Sequence, residues 1–309
     1  MRYGICILPE YSWSDAAPLW RAAEERGFDH AWTYDHLTWA GLPDSPWHST
    51  MVTLGVAATV TERIRLGTFV ASPNFRHPVT FMRDVLTVDD VSRGRLLLGL
   101  GAGGDLDAKI LGARLTRGQR TRRFAEFVPL LDRVLREDHV DHDGEFFAAQ
   151  DARNQPGCVQ HPRVPFVVAA NGPRSMALAA AHGQGWMTTG PVGREVDPDD
   201  SDAVRVEQWW RGISEISGRY TEIEKAADRS SPGVDRAADR YLSLDASGIP
   251  ALRSADFFTE QAGRAHELGF TDVVVHWPRQ SDPYRADPAV LDQIDLSDAP
   301  ATSERSLDT

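Results

Sequence analysis

The feature that most constrains this chain is an alternation that runs from end to end. Short continuous apolar runs are each followed by a longer stretch whose apolar residues recur every three to four positions. A continuous run suits a strand buried on both faces, and helices crossing between parallel strands supply that cover. Runs at residues 4–8, 30–34, 64–71, 95–100, 165–170, 186–189, 240–244 and 271–277 predict eight strands. Helical patterns at 15–26, 49–60, 79–91, 124–136, 175–182 and 255–268 lie between them; in the first, Ala16, Leu19, Trp20 and Ala23 share a face and Gly27 closes the helix. The stretch before residue 165 reads as irregular, with turn signals at Asp143-Gly144 and Pro156-Gly157. The polar segment 197–239, with helical patterns at 204–216 and 221–229, reads as a crossover and not as an interdomain linker.

Eight strands alternating with helices admit a closed (β/α)8 TIM barrel or an open doubly wound sheet. The count favours the barrel, with an insertion between strands four and five and a long crossover before strand seven. A length of 309 residues suits one such α/β domain over residues 1–294, with 295–309 expected to be a polar, disordered tail. The open sheet has one argument, Gly99-Leu100-Gly101-Ala102-Gly103-Gly104, which fits the G-x-G-x-x-G dinucleotide fingerprint after a strand. The context refuses it. The acidic residue expected about 20 positions on is replaced by an arginine-rich segment, and the next strand is far downstream.

A net charge of −12 repels phosphate backbones and anionic lipid, so neither nucleic acid nor a membrane surface is an expected partner. Two cysteines, Cys6 and Cys158, exclude a disulfide scaffold. No signal peptide and no apolar run of about 18 residues is present, so the cytoplasm is the expected location.

In a barrel of this kind the chemistry lies at the C-terminal ends of the strands. There the chain places Asp35 and His36 after strand two, Ser72, Asn74, Arg76 and His77 after three, the glycines with Asp105 and Asp107 after four, and Asn171-Gly172-Pro173-Arg174-Ser175 after five. Trp13, Trp39, Trp47 and Trp277 also fall in these loops; an aromatic-lined mouth suits a flat heterocycle, and these four are expected to shape the substrate pocket. Gly172 at a cap position and Pro173 at the first helical position leave the amides of Arg174 and Ser175 pointing outward, a natural phosphate site. Asp35-His36 has the chemistry of an acid/base pair, although neighbours on a strand point to opposite sides. Arg114, Arg117, Arg120, Arg122 and Arg123 form a local anion-attracting patch on the active face. His139 to Asp143 has metal-like residue types but reads as solvated, so no metal is expected.

These residues together make the sequence recognisable. IRLGTFVASPNFRHP at 64–78, SRGRLLLGLGAGG at 92–104, Gly144-Glu145-Phe146-Phe147, the Asn-Gly-Pro-Arg-Ser turn and Gly183-Gln184-Gly185-Trp186 occur in an order that resembles the luciferase-like monooxygenase superfamily, in its coenzyme F420 branch. The resemblance runs over residues 1–280 and implies a (β/α)8 barrel that moves a hydride between F420 and a small organic substrate. It implies that Tyr34-Asp35-His36 stands where deazaflavin enzymes have Ser-Asp-His, with Asp35 at the cofactor and His36 catalytic. Phe69-Val70 would carry a non-proline cis peptide behind the ring, with Ser72, Ala102 and Asp107 lining the cofactor and Asn171, Gly172, Arg174 and Ser175 holding its phosphate. Two positions depart from the pattern: Gly104 stands in place of an acid/base glutamate, which Asp105 or Glu10 could replace, and Asp107 stands in place of Asn. The alternatives are an FMN-dependent two-component monooxygenase, which would need a flavin reductase as partner, and a non-catalytic flavin-binding barrel. Relatives commonly form homodimers.

Overall fold

The computed structural model describes residues 1–191, 197, 200–227 and 237–296. In chain order the elements are β1 (Arg2–Cys6), α1 (Trp13–Glu25), β2 (His30–Thr33), α2 (Thr50–Val60), β3 (Arg65–Thr68), α3 (Pro78–Val91), β4 (Leu96–Leu100), α4 (Leu106–Ile110), α5 (Arg117–Arg136), β5 (Val140–Asp143), β6 (Ala148–Ala152), β7 (Phe166–Ala169), α6 (Pro173–His182), β8 (Gly185–Thr188), α7 (Asp202–Ala226), β9 (Asp239–Ser243), α8 (Ala255–Glu267) and β10 (Asp272–His276). All strands but β5 and β6 are parallel and close on themselves in the order β1-β10-β9-β8-β7-β4-β3-β2. Each of the eight runs read from the sequence is a stave of this barrel.

The period of two along each strand sorts side chains into two apolar layers. Cys6, Trp32, Phe69, Leu97, Val167, Tyr241 and Val274 fill the interior. Ile5, Ala31, Leu66, Leu98 and Val168 face outward into the helical shell. The Gly-rich segment after β4 has a steric origin. A Cβ on Gly99 would lie 2.0 Å from the Thr68 carbonyl oxygen, and Gly103, at φ +65°, closes over Asn74 and Ser72. Those glycines let the loop after β4 fold onto the loop after β3.

Three parts differ from the sequence reading. The insertion after β4 is an antiparallel hairpin, β5 against β6, where irregular chain was expected. Its turn is fixed from outside, because the Glu126 carboxylate accepts the N–H groups of Phe146 and Phe147. Helix α5 starts at Arg117 and not at 124, because Thr116 and Gln119 form a reciprocal capping box. The two helical patterns before the seventh barrel strand are one 25-residue helix, α7, running through Gly218. A mid-helix glycine costs about 1 kcal/mol. Packing outweighs it, since Tyr220 beyond that glycine stacks on Trp186 at 4.2 Å. Residues 228–229 of the second pattern and 297–309 of the expected tail lie outside the described residues. No helix among the described residues is long and apolar enough to cross a membrane.

Candidate active site

Just past β2 the alternation of the strand sends Asp35 and His36 to different partners. The Asp35 carboxylate, 1 % exposed, is clamped by Arg76 through two hydrogen bonds of 2.6 Å, from Nε and Nη2. Asp35 is therefore committed to the loop after β3, and its ion pair holds the turn that presents His36. The ring of His36 turns the other way, with Nδ1 2.8 Å from Asp107 Oδ2, while Asp107 Oδ1 accepts the N–H of Leu37 at 2.8 Å. A carboxylate only accepts, so Nδ1 carries the proton and Nε2 is left for a ligand. Asp107 is buried in the short helix α4, and a buried carboxylate against an imidazole is the usual way of orienting a general acid or base. The sequence named both residues without joining them, because 71 positions separate the partners.

Beside this pair the peptide Phe69-Val70 is cis, as the resemblance implied. Ser72 and Asn74 are buried next to it, and the Asn74 amide donates to the carbonyls of Ala102 and Gly104. Asn74 Oδ1 is buried with no partner, an acceptor awaiting a donor. Gly104 brings no carboxylate here, and neither proposed substitute is free. Glu10 is held by Arg279 at 2.6 and 3.0 Å, and Asp105 pairs with Lys109 at 2.6 Å on the surface.

The turn after β7 has the form read from the sequence: Gly172 caps α6, Pro173 is its first residue, and no side chain caps it. Asn171 is fixed from the side, its Oδ1 accepting the Thr188 hydroxyl at 2.5 Å. A cleft of about 330 Å³ lies over this turn, and Thr121, Arg122, Phe124, Arg174 and Ser175 line it. The uncapped amides of α6 thus face the arginine-rich start of α5. Arg122 also pairs with Glu145 on the hairpin, at 2.7 and 2.9 Å.

The four loop tryptophans do not form one pocket. Trp39 and Trp47 lie 6.3 Å apart and join Tyr34 and Tyr284, with Trp39 stacked on Tyr284. Trp13 instead lines a separate cleft of about 400 Å³ with Leu8, Trp20 and Val52 between α1 and α2. Trp277 is packed into the outer core. Sequence reasoning also missed a chain of hydrogen bonds through Tyr34, His276, Asp245 and Tyr284. The available signal was a histidine at the very end of the last barrel strand. His139 and His142 have separate acidic partners, Asp151 and Glu126, and both cysteines are free thiols.

Comparison with known proteins places these features in a wider set. Residues 1–266 match the model of the luciferase-like monooxygenase family. The chain is 28 % identical over 307 residues to the F420-dependent glucose-6-phosphate dehydrogenase of Beutenbergia cavernae, covering 83 % of this chain and 85 % of that one. It is 28 % identical over 294 residues to the enzyme of the same name from Kineococcus radiotolerans, covering 88 % and 81 %. Among solved structures, the coenzyme F420-dependent tetrahydromethanopterin reductase of Methanopyrus kandleri superposes with a TM-score of 0.69 at 19 % identity, over 96 % of each chain. An F420-dependent secondary alcohol dehydrogenase, solved with an F420–acetone adduct, gives 0.69 at 16 %, over 89 % of this chain and 92 % of that one. At these identities the two superpositions speak to the barrel fold.

Proposed function

The chain belongs to the luciferase-like monooxygenase family, and from that premise we propose that it is an oxidoreductase moving a hydride between coenzyme F420 and a small organic substrate. One observation carries the reading: a histidine oriented by a buried carboxylate, a cis-peptide bulge and an uncapped helix N-terminus share one end of the barrel. The residues fit the cofactor. Asn74 Oδ1 is an unpartnered buried acceptor beside Ser72, suited to a ring N–H. The amides of Arg174 and Ser175 with the Arg174 guanidinium suit a phosphate, and the basic start of α5 across the cleft suits an acidic tail.

When bound, the deazaflavin supplies hydride exchange at its ring carbon. The protein's part is position and proton handling. The Phe69-Val70 cis peptide and Ala102 would line the ring, Asp107 would act on it through His36, and Asn171 to Ser175 would hold its phosphate. His36 donates or accepts a proton at Nε2 while Asp107 stabilises the charged imidazole. Asp35 serves by holding this turn through Arg76. Residues 1–294 act as one unit in this reading. The apolar helix α2, TMVTLGVAATV, carries no charge yet leaves Val52 66 % exposed, which supports a homodimer built on that face. Light scattering on the purified chain tests that assembly.

Titration with F420 and with FMN, each oxidised and reduced, tests the cofactor. Micromolar binding of F420 is expected. Binding of FMN alone would replace this reading with the two-component monooxygenase and its reductase.

A further inference from the structure

Besides the His36–Asp107 pair, the barrel mouth holds a second line of ionisable groups. Asp245, in the turn after β9, accepts the backbone N–H groups of His276 and Ala251, each at 2.6 Å. Its Oδ2 lies 2.8 Å from His276 Nδ1. His276 Nε2 lies 2.8 Å from the Tyr34 hydroxyl, which in turn lies 2.8 Å from the Tyr284 hydroxyl. The carboxylate makes Nδ1 a donor, and in the neutral ring this sets the direction of the rest of the line. Nδ1–H donates to Asp245, Nε2 accepts from Tyr34, and the Tyr34 oxygen accepts from Tyr284. Ring contacts hold it in place: Tyr284 stacks on His276 at 3.6 Å, and Tyr34 stacks on Phe69, next to the cis peptide. Asp245, His276 and Tyr34 are buried, while Tyr284 is half-buried beside Trp39.

The surroundings describe the ligand. Trp39 and Trp47, both half-buried and 6.3 Å apart, make this part of the mouth apolar, and Trp47 Nε1 is a buried donor with no partner, suited to an oxygen. The Arg279 guanidinium beside it is spent. Arg279 gives its donors to Glu10 and to the carbonyls of Ser281, Asp282 and Pro283. A phosphorylated substrate therefore finds no counter-charge from it here.

We propose that Asp245, His276, Tyr34 and Tyr284 form the second acid/base device of this site, acting on the oxygen of an uncharged alcohol or ketone held against Trp39 and Trp47. The inference rests on the function proposed above and supplies the role left empty at Gly104. In the oxidation direction the substrate O–H bond breaks and its proton passes to the Tyr284 oxygen. The Tyr284 proton moves to Tyr34 and that of Tyr34 to His276 Nε2, giving an imidazolium facing Asp245. The carbon-bound hydrogen leaves with both electrons to the oxidised deazaflavin, and the carbonyl double bond forms. Reduction runs the same line backwards.

The test uses the full chain labelled with 15N at histidine, with and without saturating F420, and benzyl alcohol as probe. Long-range 1H–15N spectra should show His276 as the Nδ1–H tautomer, with an Nε2 resonance that moves when benzyl alcohol is added. Tyr34→Phe, which keeps the ring stack, should abolish that response, and so should Tyr284→Phe. An unmoved Nε2 in the wild type, or the same response in Tyr34→Phe, overturns the relay. If F420 binds and His276 does not respond, the relay alone fails. If His276 responds and F420 does not bind, the cofactor reading alone fails.

Discussion

Replacing Arg76 by methionine tests the strictest electrostatic demand at the barrel mouth. Asp35 is 1 % exposed and depends on two 2.6 Å hydrogen bonds from one guanidinium. Methionine retains much of the aliphatic volume over Phe81, whose ring centroid lies 4.6 Å from the guanidinium carbon, but removes the charge. Stranding one member of a buried ion pair costs about 3–5 kcal/mol. The second contact, to Asp84 at 3.2 Å, involves a carboxylate 48 % exposed and adds little. A loss of about 4 kcal/mol is expected, which at a urea slope of about 3 kcal/mol/M lowers the unfolding midpoint by more than about 1 M. The double variant Asp35→Leu/Arg76→Met removes the stranded charge as well and should recover most of that loss, a coupling of about 3 kcal/mol in the mutant cycle. A drop below about 1 kcal/mol for Arg76→Met, or a double variant no more stable than the single, would refute the argument that this pair holds the turn.

Asp107→Ala removes the acceptor of both His36 Nδ1–H and Leu37 N–H, so kcat should fall about 100-fold while the cofactor Kd, measured by fluorescence, changes less. Arg174→Ala should weaken F420 binding about tenfold or more by calorimetry, through loss of a charge-assisted contact to phosphate; unchanged affinity would remove the phosphate from the α6 turn. Burial first of all pushes the phenols of Tyr34, Tyr241 and Tyr284 above the ordinary value of 10.0. The folded-state value thus exceeds the unfolded one, so the stability they contribute is whole below pH 10 and is lost as pH rises past it. An absorbance titration should find tyrosines that ionise only as near-UV dichroism collapses, and ionisation of all six with the fold intact would contradict this burial.

The barrel was legible because its information is local. Each stave is a continuous apolar run, and α1, α3, α5, α7 and α8 each carry an apolar stripe of their own. The α6 turn was legible for the same reason, since Gly172 and Pro173 set the helix start within two residues. What escaped was the pairing of distant loops. Asp35 answers to Arg76, 41 positions on, and the Tyr34 hydroxyl meets Tyr284, 250 positions on. No period or spacing encodes such contacts. The first follows from the pairing of β2 with β3, and the second from closure, which sets β10 against β1, the neighbour of β2. The long helix α7 was misread for an energetic reason, since a glycine that is weak locally is carried by the packing of Tyr220.

The Glu10–Arg279 clamp ties the loop leaving the first stave to the loop leaving the last, and Arg279 also gathers the carbonyls just before Tyr284. The mouth therefore draws on two stretches of chain, one ending at β8 and one that includes the residues just after β10. The turn at the start of α6 draws on residues up to Thr188 of β8, whereas the line through Tyr34, His276 and Tyr284 needs the last strand beside the first. A chain ending before β10 would lose His276, Arg279 and Tyr284 together, and with them both the clamp on Glu10 and the proposed proton line.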